Sequence, residues 1–81
     1  MKTNPVYAAL DLHSSRSVLG SMDHDGQWLG WSRFRTEPEE LQRQVRALGP
    51  EVRLTLEASA LTRWAVALLR PLVEELIAVS L

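Results

Sequence analysis

No cysteine occurs among the 81 residues. That excludes a disulfide framework and a thiolate metal site, and it fits a reducing compartment. Lysine is nearly absent too: of nine basic residues only Lys2 is not arginine. Arginine matches phosphate geometry better than lysine, but a net charge of −1 leaves no bulk basic signature of nucleic-acid binding. A membrane span needs about 20 largely uncharged apolar residues. The best candidate, 61–81, is interrupted by Arg63, Arg70, Pro71, Glu74 and Glu75. The start, MKTNPVYAAL, has too short an apolar run for a signal peptide. The expectation is a cytoplasmic protein with no membrane partner. No GxGxxG or Walker A sequence is present. Ser14, Ser15 and Ser17 lack the partners of a nucleophilic serine.

What is present is globular. Hydrophobic residues at 46% and charged residues at 23% argue against disorder. The length allows at most one small domain with a thin core. The chain closes on LIAVSL, an apolar run with no polar ending, and is expected to be a fragment or a gene product cut short.

The patterns predict the order β-β-β-α-β-α-β. Val6 to Leu10 is apolar on both faces and is expected to be a central strand. Ser17 to Met22 alternates loosely, and Asp23-His24-Asp25-Gly26 is a hairpin turn. Gln27 to Arg35 returns as a third strand, with Trp28, Gly30, Ser32 and Phe34 on one face and Leu29, Trp31, Arg33 and Arg35 on the other. Thr36 to Glu39 reads as a capping box for a helix with Leu41, Val45 and Leu48 on its inner stripe. Gly49-Pro50 stops that helix. Val52, Leu54 and Leu56 alternate with Arg53, Thr55 and Glu57 in a fourth strand. Ala58 to Ala60 links it to a second helix, whose stripe is Leu61, Trp64, Ala65, Leu68, Leu69 and Leu72. Pro71 kinks or ends that helix, and Leu76 to Val79 is the fifth strand. Hairpin strands followed by βαβ units imply a mixed α/β sheet with helical cover.

Two acids close two of these strands. Asp11 follows the first and Glu57 ends the fourth. If those strands are parallel neighbours, both carboxylates emerge at one sheet edge, where they repel unless a cation lies between them. Mg²⁺ takes one or two carboxylates plus waters and substrate phosphates, and paired ions promote phosphodiester cleavage. The plain alternative is a turn residue at Asp11 and a solvated or helix-start charge at Glu57. His13 lies near the site; His24, Asp23 and Asp25 belong to the hairpin tip. Glu74 and Glu75 read as solvated. Trp28, Trp31 and Trp64 are expected in the core rather than as base-stacking platforms.

In combination, AALDLHSSRSVLGSMDHDGQWLG, RFRTEPEEL, LGPEVRLTLEAS and RWAVALL resemble the N-terminal part of a DEDD transposase. That is an insertion-sequence family with a RuvC-like, RNase H-like catalytic domain. The resemblance covers nearly the whole chain but only the first part of the family's domain. It implies that Asp11 and Glu57 are the first two acids of the catalytic tetrad and ligands of Mg²⁺ or Mn²⁺. It implies DNA as partner and DNA transposition by recombination as the activity of the full-length parent, with a structured guide RNA in some members. His13 and Arg16 are the candidate nucleic-acid contacts. The family's last two aspartates and its serine domain have no counterpart, so the chain alone is not expected to be a competent enzyme. Ser59-Ala60 stands where the family usually has Gly, and Arg70-Pro71 interrupts the second helix.

Two other readings remain. An actin-like ATPase or sugar-kinase lobe also begins β-β-β-α-β-α-β with an acid on its first strand, but its phosphate-gripping hairpin usually carries a Gly, absent from DLHSSRS. A non-catalytic assembly module would instead form a homo-oligomer through an exposed terminal strand.

Overall fold

The computed structural model describes residues 4–80. It contains β1 (Val6–Asp11), β2 (Arg16–Met22), β3 (Trp28–Arg35), α1 (Pro38–Arg46), β4 (Val52–Glu57), α2 (Thr62–Leu69), a 3₁₀ turn (Arg70–Leu72) and β5 (Glu75–Val79). The expected α/β order of elements is the observed one. The strands form one mixed sheet in the order β3-β2-β1-β4-β5. β1 pairs antiparallel with β2 and parallel with β4, β2 pairs antiparallel with β3, and β4 pairs parallel with β5. The apolar first strand is therefore central.

Local chemistry explains the turns. Asp23 Oδ1 accepts from the amides of Asp25 and Gln27, and Gly26 takes a φ of 81° to close the β2–β3 hairpin. Gly49, at φ 119°, ends the α1 connection as expected. Pro71 lies in the 3₁₀ turn that follows α2, so the helix ends at Leu69 rather than kinking.

The capping box does not form. The N-cap is Glu37, without a side-chain cap bond, and Pro38 opens the helix. Thr36 is unavailable because its hydroxyl donates to the His13 carbonyl at 2.5 Å and accepts from Ser17 Oγ at 2.7 Å. It ties the start of α1 to the β1–β2 connection. The carboxylate of Glu40, within α1, is held below its usual range first by its bond from Arg43 and then by Gln44.

The core lies on one side of the sheet. Ala8, Leu10, Leu19, Phe34, Val52, Leu54 and Leu56 face Leu41 and Val45 of α1 and Ala65 and Leu69 of α2. Both crossovers, β3 to β4 and β4 to β5, step across the sheet in the same direction. Right-handed connections then place both helices over the same face. Among the described residues, no helix covers the opposite face. Tyr7, Met22, Trp28, Trp31, Ile77 and Val79 are exposed there.

This corrects the tryptophan expectation. Trp28 and Trp31 are 60% and 61% exposed, and Trp64, at 37%, is only partly covered. Trp28 also changes face. The β2–β3 register shifts between Ser21 and Met22, so that Ser21 pairs Gly30 and Met22 pairs Trp28. Leu29 is the extra residue of a bulge, with Gly30 at φ 112°. Trp28 therefore joins Trp31 and Arg33 instead of Ser32 and Phe34.

Candidate functional site

Asp11 and Glu57 come together through strand pairing. β1 and β4 run parallel with Leu10 beside Leu56, so the residues that follow, Asp11 and Glu57, leave the sheet at the same edge. The buried neighbours Leu10, Leu12 and Leu56 anchor both strand ends in the core. Alternation turns the two acids outward, toward the uncovered face. The amide of Ala58 donates to the Val79 carbonyl at 2.7 Å, fixing the chain just after Glu57.

A cavity of about 150 Å³ lies between the two strand ends, lined by both acids, His13 and Ser59. His13 Nε2 is 2.9 Å from Asp11 Oδ1. That contact makes Asp11 a partner of His13 rather than of a turn amide. Both side chains are largely exposed, so water screens the pair and its energetic value is small. The Thr36 hydroxyl donates to the His13 carbonyl and so ties down the backbone that carries the imidazole beside Asp11.

Arg16 lies elsewhere. It pairs with Arg35 across β2 and β3, and both line a polar cleft of about 300 Å³ with Ser14 and Glu37. Of the candidate nucleic-acid contacts, His13 therefore adjoins the acids and Arg16 belongs to a neighbouring arginine pair.

A larger cleft, about 690 Å³, opens on the uncovered face. Ala9 and Gly20 form its floor, Trp28, Trp31 and Arg33 one wall, and Asp11 and Glu57 the rim. A Cβ on Gly20 would come within 2.7 Å of the Trp28 ring, so the indole lies directly against the bare backbone. Arg33 stands 5.8 Å from the Trp31 ring centre. The sequence signal for this wall was Gly30 inside a strand pattern, a mark of a bulge.

The donor set suits a hard cation in part. Two carboxylates at one strand edge match the one or two that Mg²⁺ usually takes, leaving positions for water or phosphate. Among the described residues, no group of three or more His, Cys, Asp and Glu side chains forms a fuller metal centre. No helix among them is long and apolar enough to cross a membrane.

No family model matches the chain, and no curated protein matches it. Among solved structures it is similar to a protein of Bacteroides thetaiotaomicron described as having an actin-like ATPase fold and unknown function. The two superpose with a TM-score of 0.70 at 11% identity, over 91% of this chain and 32% of that one. The present chain thus spans about a third of that protein's length. At this identity the likeness concerns the fold: an α/β chain with a mixed five-stranded sheet.

Proposed function

We propose that this chain is part of an RNase H-like, metal-dependent DNA recombinase of the DEDD transposase kind. In that reading Asp11 and Glu57 hold a divalent cation, Mg²⁺ or Mn²⁺. The observation that carries it is the parallel pairing of β1 and β4, which brings two carboxylates distant in sequence to one sheet edge. The cation would supply the charge that phosphodiester cleavage needs. The chain's own residues do the rest. Asp11 and Glu57 present oxygen ligands, His13 orients Asp11, and Arg16 with Arg35 offers guanidinium groups to a DNA backbone beside them. Both carboxylates are exposed, so a half-site of this kind binds weakly and leaves coordination for the substrate and for further acids.

The actin-like likeness favours a second reading, the first lobe of a nucleotide-binding ATPase. Against it, the β1–β2 connection Leu12–Ser15 contains no glycine to bring backbone close to a phosphate.

The test is Mn²⁺-induced paramagnetic broadening of amide resonances, which detects weak sites. Broadening centred on Asp11, His13, Glu57 and Ala58, and lost in Asp11→Asn and Glu57→Gln, is the expected result. Broadening that persists in both variants, or none at millimolar Mn²⁺, refutes the metal assignment. Shifts induced by ATP without Mn²⁺ dependence on Asp11 would favour the ATPase reading.

A further inference from the structure

Two cavities adjoin at the end of the sheet where β1 finishes. The polar cleft of about 300 Å³ holds Arg16 and Arg35 with Ser14, Ser15, Thr36 and Glu37. Its neighbour, about 360 Å³, is mainly apolar and is lined by Leu61 and Trp64 with the same Ser14 and Thr36. Arg16 and Arg35 are direct cross-strand partners, and like charges placed opposite each other destabilise a sheet. Among the described residues, Glu37 Oε1, 3.7 Å from Arg35, is the only carboxylate oxygen within ion-pair reach of either guanidinium. The acids nearby are committed or outside the cleft. Asp11 is engaged by His13, Glu40 by Arg43 and Gln44, and Glu39 does not line the cavity. Two guanidiniums against one carboxylate leave a positive excess, with the exposed Ser14 and Ser15 hydroxyls beside it.

We infer that this double cleft holds one nucleotide unit of a single-stranded nucleic acid, its phosphate between Arg16 and Arg35 and its base against Trp64. The oxygens of a phosphodiester match the guanidinium fork, and Ser14 and Ser15 carry hydroxyls that can donate to them. An anion between the two arginines turns their repulsion into binding energy. The exposed part of Trp64 lines the apolar half. Unstacked bases settle on aromatic rings, whereas the bases of a duplex are already stacked on each other. Trp64 therefore selects a single strand. Side chains rather than backbone hold the phosphate, so the lack of glycine in Leu12–Ser15 is no obstacle.

The lining selects this occupant over a further stretch of polypeptide. An apolar segment laid here would bury two guanidiniums with one carboxylate between them, which is costly. An acidic segment would satisfy the arginines but bring no flat ring to Trp64. By alternation Arg16 and Arg35 emerge at the margin of the uncovered face, while Trp64 belongs to α2 on the helical side. The cleft thus wraps the end of the sheet and leaves both the sheet face and the carboxylates of Asp11 and Glu57 open. The inference rests on the recombinase reading only for DNA as the source of the strand. The cleft itself uses no metal.

The test is an NMR titration of the full chain with a thymidine strand of about ten nucleotides, in chelator and at about 150 mM salt. The indole N–H of Trp64 and the amides of Ser14, Ser15 and Arg16 should shift, while the indoles of Trp28 and Trp31 stay in place. Arg16→Gln and Arg35→Gln should each weaken binding about fivefold or more, and Trp64→Leu by a similar factor. Both arginines are exposed, and removing either relieves a like-charge pair, so the Tm of each variant should hold or rise. A fall in Tm would mark the pair as structural and count against the site. Strand binding without any Mn²⁺ site at Asp11 and Glu57 would sink the metal assignment alone and support the cleft. No shift at millimolar strand, shifts centred on Trp28 and Trp31, affinity indifferent to both arginine variants, or equally tight binding of the matching duplex or of a glutamate peptide overturns the inference.

Discussion

Replacing Thr36 by valine isolates one polar contact that ties the site loop to the fold. The hydroxyl donates to the His13 carbonyl and accepts from Ser17 Oγ. Ser17 is fully buried, and no buried side-chain polar atom in the described residues lacks a partner. Thr36→Val keeps the shape and removes both bonds. The His13 carbonyl lies at the surface and finds water, so its loss is small. Ser17 Oγ is left buried without its partner, which costs about 1–3 kcal/mol. A central value of about 2 kcal/mol corresponds to a fall in Tm of about 8–16 °C for a domain of this size. A lost helix cap would also cost about 1 kcal/mol, so magnitude alone does not separate bracing from capping. A double-mutant cycle does. If the hydroxyl braces the loop, Ser17→Ala removes the stranded donor, and the double variant is more stable than additivity predicts by about 1 kcal/mol. The assay is urea denaturation of the four proteins. Additive losses within about 0.3 kcal/mol, or a Thr36→Val loss below about 0.5 kcal/mol, refute the bracing argument.

Two further outcomes follow from packing and backbone geometry. Leu54, 1% exposed at the centre of β4, should cost about 2–5 kcal/mol when changed to alanine. Against about 4–12 kcal/mol for the whole domain, that brings the variant close to its unfolding transition in urea, whereas exposed Thr55→Ala should shift the midpoint little. Gly30→Ala has free space around its new methyl but a φ of 112° to maintain. It should destabilise by about 1–3 kcal/mol and release the bulge, altering Trp28 fluorescence; an unchanged midpoint and spectrum would contradict the assigned register.

Much of the fold was legible because its determinants are local. Alternation at Val52, Leu54 and Leu56, the Asp23–Gly26 turn and the glycine after α1 each report backbone preferences of a few neighbouring residues. The element order follows from them. Thr36 shows where locality fails. Its sequence context fits a cap, but a hydroxyl bonds whichever partners the fold brings, and here those are Ser17 and His13. Trp28 shows another failure. A single extra residue at Leu29 reverses every alternation before it, so its face depends on pairing with β2 rather than on its own strand.

The candidate site divides in the same way. The sequence by itself determined that Asp11 and Glu57 each end an apolar strand, because a charge after a buried run must emerge from the sheet. Only the tertiary structure decided that they are neighbours, since parallel pairing of β1 and β4 is a long-range choice. It also decided which side of the sheet stays bare. Composition counts tryptophans but not their cover, and that cover depends on both crossovers stepping across the sheet in one direction.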